Sequence, residues 1–123
     1  GQRVPAFTEY AGLYERFRQR EGKPPFNLAQ RWIDAEKKLN LKEMFNYIST
    51  TDCIGGNSGS PTINREGEVV GIVFDGNIES LPGNYWFDER INRTVSVHTG
   101  GMMEAIVKVY GEYALASELR DGR

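Results

Sequence analysis

Between residues 55 and 61 the chain reads Gly-Gly-Asn-Ser-Gly-Ser-Pro, and no helix can run through that segment. Proline lacks an amide hydrogen and glycine is the next poorest helix former, so the segment must be a turn that its neighbours accommodate. Those neighbours are apolar runs of strand length, Phe45 to Thr50 before it and Glu68 to Phe74 after it. Residues Thr62 to Val70 between them read as a hairpin with Gly67 at the left-handed position. Antiparallel β structure around a tight glycine turn follows, rather than βαβ. Glycine also admits positive-φ geometry, which lets two nearby N–H groups converge on one point. Such a pair of donors can stabilise an oxyanion, and a serine in the same turn stands where it could attack a carbonyl. Ser58 is thus the candidate nucleophile, with the Gly56 and Ser58 N–H groups as candidate oxyanion donors.

Helical periodicity brackets this β segment. Tyr10, Leu13, Tyr14 and Phe17 fall on one helical face, with Thr8 as a possible N-cap and Gly22 to Pro25 as the stop. A second helix is expected from Asn27, whose Asn-x-x-Gln spacing to Gln30 suits a capping box, with Leu28, Trp32, Ala35 and Leu39 as its apolar face. Residues 76 to 92 are rich in Gly, Pro, Asn and charge and read as a long surface loop. Thr94 to His98 alternates as a strand, and Met102 to Tyr110 and Tyr113 to Leu119 read as helices. The fold class is α+β, divided into a helical lead-in over 1–43, a β segment over 44–100 and C-terminal helices over 101–123.

Composition excludes several classes. The 123 residues carry 15 basic and 17 acidic side chains, a formal net charge of -2, with no basic face. That argues against nucleic acid or an anionic membrane surface as a partner. No apolar run approaches the roughly 20 residues of a membrane span. The start, Gly1-Gln2-Arg3-Val4-Pro5, is neither a signal peptide nor an initiator, so a piece of a longer protein is expected. No His, Cys, Asp and Glu cluster has metal-ligand spacing, and no cofactor is expected.

A seryl hydroxyl needs a base, and the chain has one histidine, His98. It lies forty residues beyond Ser58, at the end of a strand, and reads as structural. The single cysteine, Cys53, reads as a small packed hydrophobe. Asp75 sits at a strand end before Gly76, where a carboxylate near the nucleophile would hold an ammonium group. It can equally be a turn residue capping the Gly76-Asn77 bend. Asp88-Glu89-Arg90 reads as a solvated loop, and Asn92-Arg93-Thr94 has the form of a glycosylation sequon.

The Gly-x-Ser-Gly-x-Pro turn followed by an apolar strand resembles that of chymotrypsin-type serine peptidases. In members activated by N-terminal cleavage an Asp stands where this chain has Asn57, which cannot pair with a freed amine. The resemblance becomes specific over Ser49-Thr50-Thr51-Asp52, Ile54 to Pro61, Glu68-Val69-Val70-Gly71 and Phe74-Asp75-Gly76-Asn77. Together these are similar to the C-terminal part of the bacterial dipeptidyl-peptidase 7 and 11 family, peptidase family S46. The likeness extends to Arg93-Thr94-Val95-Ser96-Val97, the final helices and Pro24-Pro25-Phe26.

That resemblance implies the C-terminal portion of a chymotrypsin-like antiparallel β-barrel over 44–100, within a much longer protein. It implies removal of dipeptides from peptides with a free N-terminus, by a homodimer in the periplasm or at the cell surface of a Gram-negative bacterium. Ser58 would be the nucleophile and Gly56 part of the oxyanion hole, with the His and Asp of the triad on a missing segment, leaving this fragment inactive alone. Asp75 would bind the substrate's α-ammonium group. Gly76 lies at the position that selects the residue before the cut, and its lack of charge implies an uncharged or apolar second residue. Two alternatives stay open. Gly-Asn-Ser-Gly-Ser-Pro also resembles glutamyl endopeptidases, though Ile72-Val73-Phe74-Asp75 lacks their histidine. A non-catalytic peptide-binding module would keep the turn without its partners.

Overall fold

The computed structural model describes residues 4–122. Its elements form an α+β chain: β1 (Phe7–Glu9), α1 (Tyr10–Gln19), α2 (Gln30–Ala35), β2 (Met44–Ser49), β3 (Pro61–Ile63) and β4 (Val69–Gly76). A 3-10 helix (Ile78–Asn84) precedes β5 (Thr94–His98), α3 (Thr99–Ala105), a π-helical turn (Ile106–Tyr110) and α4 (Tyr113–Asp121). The chain gathers into two compact units, one of the residues before Glu9 with Phe45–Thr99, the other of Glu9–Met44 with the residues from Gly100 onward.

The first unit is a five-stranded sheet in the order β1-β2-β5-β4-β3. Strands β2 and β5, β5 and β4, and β4 and β3 pair antiparallel, with Tyr47 opposite Ser96 and Val73 opposite Ser96. The sheet is not closed among the described residues: three-residue strands β1 and β3 are its two edges, so the expected barrel is not complete in this chain. Its buried side is partly polar. Ser96 is 0% exposed and shares a hydroxyl bond of 3.1 Å with Thr62, while Thr94 donates to the Thr51 carbonyl at 2.7 Å. On β4, buried Gly71 and Val73 alternate with exposed Ile72 and Phe74, so the strand is apolar on both faces and covered on one. At the hairpin end, Asn64 Oδ1 accepts from the Glu66 and Glu68 amides at 3.0 and 2.9 Å, and Gly67 has a φ of 83° as expected.

The second unit packs helices around Tyr14, Ala35 and Leu39, with Leu13, Leu28, Trp32, Leu41 and Val109 against them. The apolar face of α1 is present, but only Trp32 and Ala35 of the second expected face are helical, since α2 ends at Ala35 and Leu28 and Leu39 join the core from outside it, and both helices start elsewhere than expected. Thr8 belongs to β1, and its hydroxyl accepts from the Asn46 amide at 3.2 Å; Glu9 precedes α1 without a side-chain cap. The capping box at Asn27 does not form, because the helix begins at Gln30, whose amide group bonds Asp34 instead. Tyr14 donates to the Trp32 carbonyl at 2.7 Å and Tyr10 to Gly101 at 2.6 Å, so each phenol is buried with its hydroxyl satisfied.

Burial, reinforced by the Glu104 carboxylate, holds the Tyr10 hydroxyl protonated well above its ordinary value, and burial moves Tyr14 the same way. Both groups therefore stabilise the fold fully below the ordinary value of 10.0 and lose that contribution as the pH rises past it. Urea titrations over roughly pH 8 to 11 should show stability falling on the alkaline side, with a shallower fall in Tyr10→Phe. A slope unchanged in that variant would show that Tyr10 is not a source.

Candidate active site

The turn that carries Ser58 is strapped to the middle of β4. Gly59 donates to the Val73 carbonyl at 2.8 Å, and Val73 donates back to Ser60 at 2.9 Å. Inside the turn, Asn57 and Ile54 exchange two bonds, Asn57 N–H to the Ile54 carbonyl at 3.1 Å and Ile54 N–H to Asn57 Oδ1 at 2.9 Å. Asn57 is thus the brace of the loop rather than an ion-pair partner. Gly56 and Gly59 have φ of 97° and 89°, which a side chain would strain. From residue 54 to 60 the amides of Ile54, Asn57, Gly59 and Ser60 are bonded within the chain. Those of Gly55, Gly56 and Ser58 have no acceptor among the described residues.

Because the straps end at Val73, Ser58 stands beside the last residues of β4. A cleft of about 320 Å³ is lined by Ser58, Asp75 and Gly76, together with Cys53, Ile54, Val73, Phe74 and Ser80 among others. Gly56 is not a lining residue, although its neighbour Gly55 is. Ser58 and Asp75 are both exposed. A register shift between Val73 and Asp75 turns the Asp75 side chain outward, and Asp75 Oδ1 accepts from the Gly76 amide at 2.8 Å. That bond occupies one carboxylate oxygen, and the other is open to a second donor.

His98 is not among the cleft-lining residues. It stands opposite Gly71 in the β4 and β5 pairing, edge-on to Tyr47 with ring centres 6.0 Å apart. Cys53, read as packed core, is only partly buried and lines the cleft. The stretch read as a loop contains the 3-10 helix that brings Ser80, Leu81 and Asn84 to the cleft. Asp88 and Arg90, read as merely solvated, form a forked pair of 2.9 and 2.6 Å, and these hydrogen bonds lower the Asp88 carboxyl to about 2. Asn92 of the sequon is 4% exposed, which closes it to a glycan.

An open antiparallel sheet whose glycine turn sets a serine and a carboxylate on one cleft is a peptidase-like arrangement. The chain belongs to peptidase family S46, whose model matches residues 1–121. It is 29% identical over 99 residues to dipeptidyl-peptidase 7 of Capnocytophaga gingivalis, covering 74% of this chain and 14% of that protein. It is 44% identical over 65 residues to the Asp/Glu-specific dipeptidyl-peptidase of Shewanella putrefaciens, covering 53% of this chain and 9% of that protein. The crystal structure of Porphyromonas endodontalis DPP11 in complex with substrate shares the fold, with a TM-score of 0.82 at 23% identity over 95% of this chain and 18% of that one. The chain thus spans less than a fifth of the length of these relatives.

Proposed function

We propose that this chain is the nucleophile-bearing segment of a serine-type dipeptidyl aminopeptidase. The observation that carries it is the shared cleft, where Ser58, Asp75 and Gly76 line one space of about 320 Å³. Ser58 Oγ bonds to the scissile carbonyl carbon while its proton passes to a base; the carbonyl carbon–nitrogen bond breaks as the base protonates the leaving amine, and water then attacks the resulting ester, freeing the dipeptide and returning a proton to Oγ. The unbonded amides of Gly56 and Ser58 would meet the oxygen as it gains charge. Asp75 would hold the peptide's α-ammonium group and so fix two residues between that amine and the cut.

The base belongs to a segment outside this sequence, since the one histidine is absent from the cleft lining. The same reasoning disfavours a glutamyl endopeptidase. Exposed Ile72 and Phe74 support a barrel whose remaining strands, like the triad's His and Asp, lie elsewhere in the protein. Asp/Glu-specific relatives raise the opposite preference to the one argued from Gly76. Supporting an uncharged second residue, the lining among the described residues holds no Lys, Arg or His, and its one carboxylate there is Asp75. A periplasmic or cell-surface homodimer completes the reading by family resemblance. Among the described residues no helix is long and apolar enough to cross a membrane.

Fluorophosphonate labelling tests the nucleophile. The full-length protein should carry the adduct on Ser58, and the isolated 123-residue chain should carry none. An unlabelled Ser58 in the full-length protein would overturn its assignment; labelling of the isolated chain would overturn the claim that the base lies elsewhere.

A further inference from the structure

From Asn77 to Arg93 the chain is held by polar bonds and turns apolar side chains to water. Asn77 is tied to the far end of the segment at three points: its amide donates to the Arg93 carbonyl at 2.9 Å, its Nδ2 to the Ile91 carbonyl at 2.7 Å, and its Oδ1 accepts from the Arg93 amide at 2.8 Å. The Arg93 guanidinium donates to the carbonyls of Glu89, Asn92 and Arg90 at 2.8, 2.6 and 3.2 Å. The amides of Tyr85 and Trp86 both donate to the Pro82 carbonyl, at 2.9 and 3.0 Å, which seats the two aromatic residues on the end of the 3-10 helix. Yet Tyr85 is 96% exposed, Ile78 and Trp86 are 75% exposed and Leu81 is 73% exposed. The ledge is preformed, and its apolar side is uncovered among the described residues.

The size of this surface and its place say what covers it. Two aromatic and two aliphatic side chains so exposed offer on the order of 500 Å² of apolar area, as much as a typical monomer leaves in its largest patch. Contacts between domains of one chain bury about 600 to 1,500 Å² over both sides, which the ledge matches, whereas a stable dimer needs about 800 Å² from each partner. An anionic lipid surface would call for Lys or Arg, and residues 77–87 carry neither. A dipeptide held at Asp75 lies within the cleft, which Ile78, Tyr85 and Trp86 do not line. Leu81 does line it, so ledge and cleft are continuous. The chain spans less than a fifth of its relatives, and the base that Ser58 needs already brings an outside segment to this cleft.

We infer that Ile78, Leu81, Tyr85 and Trp86 form an intramolecular docking surface, covered in the full-length protein by an apolar face of the same polypeptide outside these 123 residues. The inference rests on the dipeptidyl-peptidase reading above for the approach of an outside segment to the cleft.

Hydroxyl-radical footprinting of the full-length protein without substrate tests the cover. Tyr85 and Trp86 should oxidise about tenfold more slowly in the native protein than in urea, as side chains in the desolvated centre of an interface do. Rates close to those in urea would leave the ledge in water and overturn the inference. Photocross-linking identifies the occupant. With Tyr85→p-benzoylphenylalanine, irradiation should give a monomer-sized product whose joined peptide comes from outside this sequence. A dimer-sized product would name a second copy, a joined peptide from within the 123 residues would name this chain's own surface, and protection gained only with added peptide would name the substrate; each overturns the inference. Both readouts are taken without turnover, so an uncovered ledge and an unlabelled Ser58 are separate failures.

Discussion

Ser58→Ala in the full-length enzyme is expected to lower kcat by about 10⁶-fold while leaving KM nearly unchanged, the behaviour of a lost covalent nucleophile. Alanine keeps Cβ and the backbone, so the turn has no reason to move. Its geometry is set by Gly56 and Gly59 at positive φ, by the paired bonds between Asn57 and Ile54, and by the straps from Gly59 and Ser60 to Val73. None of these uses the Ser58 hydroxyl, which is exposed. The melting temperature should therefore stay within the error of the measurement. Dipeptide release that persists to within tenfold of the wild type would remove Ser58 from the chemistry. Residual catalysis of roughly 10³ over water is compatible with the assignment, because free amides and substrate positioning survive the substitution.

How much of this was legible in the sequence differs between elements for a physical reason. The faces of α1 and α2 could be read from Tyr10, Tyr14, Trp32 and Ala35, because burial selects apolar residues at a fixed local period. The helix starts could not. Thr8 has the chemistry of a cap, yet its hydroxyl accepts from Asn46, thirty-eight residues away. Such a competitor is invisible to any local window. The 3-10 helix over Ile78–Asn84 was hidden in the same way: its Gly, Pro and Asn content reads as loop, while Asn77 anchors it to Ile91 and Arg93 through side-chain bonds. Ser58, Asp75 and Gly76 were named from sequence and line one cleft. Ser80 was missed, since a serine in a polar stretch carries no signal until the 3-10 helix is seen to bring it to the cleft.

Asp75→Asn separates the two roles that the structure allows this residue. As a turn cap, Asp75 needs only an oxygen to accept from the Gly76 amide at 2.8 Å, and asparagine supplies one. A capping role thus predicts an unchanged enzyme. As the anchor of a peptide's α-ammonium group, it needs its negative charge, and that charge is exposed until substrate covers it. Covering a charge pair makes its loss costly, so kcat/KM for substrates with a free amine should fall by about 10²-fold, close to 3 kcal/mol. The same substrates with an acetylated amine should react slowly with both enzymes, because they have no cation to lose. The substrate amine titrates near pH 8, so wild-type kcat/KM should decline above that value as the ammonium is deprotonated, and the asparagine variant should show a flatter decline. An enzyme unchanged on both free and acetylated substrates would assign Asp75 to the architecture of the bend; a loss confined to the free amine assigns it to counting two residues from the N-terminus.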